Sequence, residues 1–201
     1  MRRSVLLVAL LALPLAGCWP LSLYPLYTDA SKDTVAVPEL VGHWKEVHDD
    51  GYWKITSVPN SGKRYELEWT DEKGKKSRYI AYVVDVKGKR FLDVVPMSWE
   101  GSDSMSKITA YHLVPMHTFW VLDIKDNHLT VRYMDLDWLA KYLAEKPLAL
   151  RHDYYSLNLV DPKDDDNIPL LTTKPKKLQK FFYRHLSTPG AYVDSIEFDR
   201  S

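Results

Sequence analysis

One cysteine, seven histidines and a run of aspartates are the residues of this chain with chemistry to offer. Cys18 stands alone, so it cannot close an internal disulfide. Its sulfur is left for attachment or for attack. His112 and His117 flank Pro115, and neither H-E-x-x-H nor C-x-x-C occurs, so no metal site is expected. The segment "DPKDDDN" gathers Asp161, Asp164, Asp165 and Asp166. It lacks the turn glycine and the closing glutamate of a calcium loop and reads as a solvated loop. There is no G-x-S-x-G elbow and no phosphate loop, and the serines of "GSDSMSK" are ordinary loop residues. No catalytic group and no cofactor are therefore expected. Interest passes to Cys18 and to the aromatic side chains, because seven tryptophans and 13 tyrosines are many for a chain of 201 residues.

Cys18 follows a distinctive run, "MRRSVLLVALLALPLAG". Arg2 and Arg3 supply a positive start, Val5 to Leu15 an apolar stretch, and Ala16-Gly17 two small residues. That layout is a secretory signal over residues 1–17, too short for a stable membrane span. Leu15-Ala16-Gly17-Cys18 resembles the lipobox of bacterial lipoproteins. The resemblance implies cleavage before Cys18 and attachment of diacylglycerol and an N-acyl chain to it. Each buried methylene would contribute about 0.8 kcal/mol to membrane attachment. In Gram-negative lipoproteins an aspartate after the cysteine favours the inner membrane. Trp19 stands there instead, which implies the outer membrane, on its periplasmic side.

Removing residues 1–17 leaves 25 basic against 27 acidic residues, a net −2. The charges are mixed along the chain, so no nucleic-acid surface is expected. Residues 18–36 lack a period and carry two prolines, which reads as a lipidated cysteine and a tether able to dock some of its aromatic content. Residues 37–201 suffice for a single domain with a real core.

The body opens as short strands between turns. "GHWKEV", "YWKITSV", "RYELEWT", "SRYIAYVVDV" and "RFLDVV" make five antiparallel strands over residues 42–95. In "RYELEWT", Tyr65, Leu67 and Trp69 share one face, and Arg64, Glu66 and Glu68 the other. In "SRYIAYVVDV", Ile80, Tyr82, Val84 and Val86 alternate with Tyr79, Ala81, Val83 and Asp85. "ITAYHLV" predicts a strand, and "HTFWVLDI" with "HLTVRYMD" a hairpin. Helical spacing then appears at Trp138, Leu139, Tyr142 and Leu143, with Asp137 as N-cap. "HDYYSLNLV" and "IPLLTT" are short strands around the acidic loop. Thr173 would cap a second amphipathic helix, "KPKKLQKFFYRHL", and "AYVDSIEF" would close the chain as a strand.

A meander of that length is best satisfied by closing on itself, which removes sheet edges. The fold class expected is mainly β: an antiparallel up-and-down barrel with two short amphipathic helices, which G-x-W at Gly42 and Trp44 makes lipocalin-like by resemblance. "PELVGHWKE" resembles the lipocalin and calycin opening motif, with G-x-W at Gly42 and Trp44. The resemblance implies that Gly42 permits a tight approach and that Trp44 plugs one barrel end. Arg132 and Arg200 are the candidates to cover it. The chain also resembles bacterial lipoproteins with "LVGxW" a short distance after the lipobox, a likeness that supplies no activity.

If the barrel holds a ligand, it is apolar and sits among Trp53, Tyr65, Leu67, Trp69, Tyr82, Phe119 and Tyr133. The other reading of the same aromatic set is a filled core. The roles the sequence leaves open are capture of a hydrophobic or amphipathic ligand, a filled barrel working through its surface on an envelope protein, and a hydrolase assembled from distant residues. The first two are non-catalytic, and the membrane is the expected partner through Cys18.

Overall fold

A computed structural model describes residues 19–97, 114–156 and 167–201. The chain enters through β1 (Leu21–Ser22), helix α1 (Ala30–Asp33), β2 (Thr34–Val35) and a 3-10 turn at Pro38–Leu40. A meander follows: β3 (Gly42–Glu46), β4 (Tyr52–Ser57), β5 (Arg64–Thr70), β6 (Lys76–Val86), β7 (Lys89–Pro96), β8 (Thr118–Lys125) and β9 (His128–Tyr133). Then come α2 (Leu136–Glu145), β10 (His152–Ser156), β11 (Asn167–Leu171), α3 (Pro175–Arg184) and β12 (Ile196–Arg200).

Strands β3 to β9 pair in chain order, and β12 fits between β9 and β3. The result is a closed eight-stranded antiparallel barrel. The five strands expected over residues 42–95 are β3 to β7. "KGK" turns β6 into β7 with Lys87 at φ 55° and Gly88 at φ 78°, the left-handed pair that suits strand twist. The expected strand "ITAYHLV" falls outside the described residues except for Val114, which is not in a strand.

Two apolar cores result. One fills the barrel and includes Trp44, Trp53, Ile55, Leu67, Trp120 and Phe198. The other covers the barrel's outer wall. There Val84, Val86, Phe91 and Phe119 meet Leu139 and Leu143 of α2 and Leu178, Phe181 and Phe182 of α3. The helices sit where the period of the sequence places them, but their starts differ. Asp135, not Asp137, caps α2, accepting the Trp138 N–H at 2.7 Å. Lys174, not Thr173, occupies the cap of α3 and makes no side-chain bond. Thr173 lies one residue too early. Its hydroxyl instead accepts the Arg151 N–H at 2.6 Å and donates to the Arg151 carbonyl at 2.9 Å. The final strand begins at Ile196, later than "AYVDSIEF" suggests.

Residues 19–36, expected to be a tether with some aromatic docking, lie against the barrel along most of their length. β1 pairs with β11, β2 pairs with β6, and Leu26 is fully buried. Beyond them, the Val37 N–H donates to the Tyr65 hydroxyl at 2.7 Å, and Leu40 closes one barrel end.

Gly42, Trp44 and Arg200 form a clasp at that end. Trp44 is fully buried, and its indole N–H donates to the Leu40 carbonyl at 2.9 Å. The Arg200 guanidinium lies 4.2 Å from the Trp44 ring centroid. It also donates to the carbonyls of Val41 at 2.7 Å and Glu39 at 2.6 Å. Gly42 has φ 154°, and a Cβ there would overlap Arg200 Nη1. Arg132, the other candidate, lies over Tyr192 instead, at 5.7 Å. Trp44→Ala is expected to cost about 3–5 kcal/mol, the usual penalty for emptying a large aromatic site. Gly42→Ala should also destabilise by displacing Arg200. Chemical denaturation measures both, and an unchanged midpoint in either variant would contradict the clasp.

Candidate functional site

Of the aromatic set singled out for the barrel interior, Trp53, Tyr65, Leu67, Trp69 and Tyr133 belong to the inner core. Tyr82 and Phe119 do not. Tyr82 pairs with Asp93 on the outer wall and packs on Tyr27, with ring centroids 5.0 Å apart. Phe119 meets Phe182 of α3 edge-on at 5.2 Å. The reason lies in β6 and β8 themselves. Their outer faces are covered by another layer, so both faces carry apolar side chains and alternation loses its phase. In β6 the inner set is Tyr79, Ala81 and Val83; in β8 it is Trp120, Leu122 and Ile124.

Trp19 and Trp120 complete the interior, and neither stood in the expected set. Trp53 stacks on Trp120 at 5.1 Å and packs on Phe198 at 4.5 Å. Trp19 closes the mouth opposite the clasp, within 5.4 Å of Trp69, 5.3 Å of Trp120 and 6.0 Å of Tyr133 by ring centroid. The adjacent aromatics in "TFWV" were the available signal for Trp120, since neighbours in a strand point to opposite faces. Trp19 had no such signal, because it belongs to no periodic segment.

What remains open at the mouth is a cavity of about 30 Å³, bordered by Trp19, Glu46, Trp53, Trp69, Trp120 and Tyr133 among others. It has room for water and little else. Among the described residues Glu46 is its one acidic neighbour. Burial pushes that carboxyl's pKa up, the charge of Asp49 adds to the effect, and His48 opposes it. The Trp120 indole N–H is buried and meets no acceptor among the described residues.

A second cluster lies on the outer wall of β7. Asp93 is fully buried. One of its oxygens accepts the Leu26 N–H at 2.6 Å, and the other meets His117 Nδ1 at 2.6 Å. Burial raises the Asp93 pKa, against the pull of His117 and the Leu26 N–H. Tyr27 nearby is pushed up to about 12 by burial and then by the charge of Asp93. An Asp–His pair beside a serine is the kind of set that nucleophilic catalysis uses. Ser22 does pair with His117 through the backbone. But Ser22 is fully buried, and its hydroxyl donates to the Tyr24 carbonyl at 2.7 Å. The cluster is therefore built as a latch for the entering chain. His112, considered with His117 for metal binding, lies outside the described residues, as do Cys18 and the aspartates of "DPKDDDN".

The closed meander, the Gly42–Trp44–Arg200 clasp and the aromatic interior define a β-barrel of lipocalin-like architecture. Comparison with known protein families, curated proteins and solved structures gives no match for this chain.

The latch carries a pH dependence. Folding raises the Asp93 pKa above its unfolded value of about 4, so the folded state holds that proton more tightly. The stability gained is full below about pH 4 and is lost as pH rises through the raised value. Asp93→Asn keeps the shape of the protonated group and removes the titration. As the pH rises above about 4 the melting temperature of the wild type should fall relative to that of the variant. A constant difference over that rise would place the titration elsewhere.

Proposed function

We propose that this protein is a lipid-anchored envelope lipoprotein whose lipocalin-like barrel is a filled, non-catalytic scaffold that acts through its surface. The observation that carries the reading is the interior. Small-molecule pockets usually span about 300–1,000 Å³, and the cavity that the described residues leave at the mouth of this barrel is about 30 Å³. Tryptophans occupy the volume an apolar ligand would need. Trp19 stands in the mouth, so capture of a hydrophobic molecule requires that this side chain leave first.

Attachment through acylated Cys18 is supported by the lipobox resemblance and by the signal layout before it. With Trp19 seated in the mouth, an acylated Cys18 would hold that end of the barrel close to the membrane. Among the described residues no helix is long and apolar enough to cross a membrane. A non-catalytic role is supported by the engaged hydroxyl of Ser22 beside the Asp93–His117 pair.

Fractionation of cells expressing the wild type or Cys18→Ala tests the anchor. The wild type should sediment with membranes and incorporate labelled fatty acid, and the variant should do neither. Titration with a fluorescent fatty acid, read by tryptophan quenching, tests the filled barrel. No saturable binding is expected in the wild type. Trp19→Ala should create an apolar cavity and admit the probe. Tight binding to the wild type that Trp69→Ala abolishes would overturn the scaffold reading in favour of ligand capture.

A further inference from the structure

The chain is close to neutral overall, yet one face of it is not. Helix α3 contains no acidic residue. Its inner stripe, Leu178, Phe181 and Phe182, is buried against the barrel wall. Its outer side, with the residue before it, exposes Lys174, Lys176, Lys177, Lys180 and Arg184. Some cations elsewhere are paired, Lys76 and Arg78 with Glu68 and Arg90 with Glu39, and others such as Lys54 and Lys125 stand singly on strands that carry or pair with acidic residues. Among the described residues none of the five cations of α3 has a carboxylate partner. Lys176, Lys180 and Arg184 recur every fourth residue, so they form a row along the helix. The row borders an open groove of about 610 Å³ whose far side carries Lys87 and one carboxylate, Asp85, so that cations outnumber acidic groups there by four to one.

An apolar side chain stands beside the same face. Leu148, in the loop after α2, is 92% exposed. The Lys177 ammonium reaches its carbonyl at 3.4 Å, and Lys146 is exposed two residues before it. A leucine so exposed packs on little among the described residues, and Lys177 and Lys146 stand near it, with Glu145 one residue further back.

We propose that the basic face of α3, with Leu148, is a contact surface for an anionic phospholipid membrane. The proposal rests on the reading above that the protein is held at a membrane and works through its surface. Two different chemistries have to be met at once. Phosphate headgroups meet the row of cations, and the hydrocarbon boundary just beneath them takes the leucine. An acidic polypeptide would satisfy the cations but would need an apolar side chain in one particular place to take Leu148, whereas a membrane offers hydrocarbon beneath every headgroup. The helix is also held firmly enough to present a fixed face. Gln179 donates to the Leu26 carbonyl at 2.8 Å, and Lys87 lies over Tyr183 at 5.2 Å. An acyl chain and a polybasic face are the two signals that together give stable membrane attachment.

The test uses the full chain mixed with vesicles of phosphatidylcholine alone or doped with phosphatidylglycerol. Flotation reports attachment. Acylation of lysines by an amine-reactive ester, read by mass spectrometry, reports which side chains the membrane covers. On the doped vesicles, labelling of Lys176, Lys177 and Lys180 should fall several-fold relative to neutral vesicles and recover in high salt. Lys73 and Lys75, in the turn between β5 and β6, should label equally on both. The double variant Lys176→Glu/Lys180→Glu should lose the protection, and Leu148→Ser should weaken it. Equal labelling on both vesicle types, with flotation intact, overturns the basic face and leaves the anchor standing. No flotation with either vesicle overturns both. Polyglutamate that protects the same lysines as strongly, with no effect of Leu148→Ser, would also overturn the proposal and make an acidic polypeptide the partner.

Discussion

The barrel depends on one closure, the pairing of its first strand with its last. Arg200 faces Trp44 across that seam. Without it, β3 and β12 would present open edges, and the inner core would meet water between them. Backbone pairing alone would close the sheet but would not decide where it closes. The arginine does so, because its guanidinium has three demands that only one register satisfies. It lies on the Trp44 ring and donates to the Val41 and Glu39 carbonyls. Gly42 is the condition for this, since any side chain there would occupy the place of the guanidinium. A slip by one residue would turn Trp44 outwards and expose the largest plug of that end.

The same closure leaves the outer wall of β6, β7 and β8 as the second problem of the fold. These strands carry apolar residues on both faces, and an exposed outer wall would be an aggregation hazard. The two longer helices, Leu26 and Leu171 cover it. Asp93 is the polar point within that cover. Burying a carboxylate is costly unless its oxygens are engaged, and both are, by the Leu26 N–H and His117. The arrangement ties the entering chain to the middle of the barrel wall, between its pairings at β1 and β2.

A barrel packed in this way spends its aromatic residues on stability. The tryptophans that suggest a ligand pocket pack against one another inside the barrel. What the body exposes is uneven: α3 carries a row of cations without an acidic residue among them, and Leu148 stands bare in the loop after α2. Lipocalin-like architecture does not by itself imply a transported molecule, because the same strands can enclose side chains or solvent.

The sequence by itself determined the strands of the meander, their closure, both longer helices, the G-x-W plug and the inner face of β5. Each rests on a local pattern: alternation, helical spacing, or a glycine beside a tryptophan. It also narrowed the cover of Trp44 to two arginines. Only the tertiary structure chose Arg200, because that choice depends on which strand returns beside β3. Only the tertiary structure placed Tyr82 and Phe119 outside, because a strand covered on both faces has no polar face to set its phase. Trp19 in the mouth, Leu26 on Asp93 and Thr173 on Arg151 were equally out of reach. Each joins residues distant in the chain through a contact that no periodicity encodes.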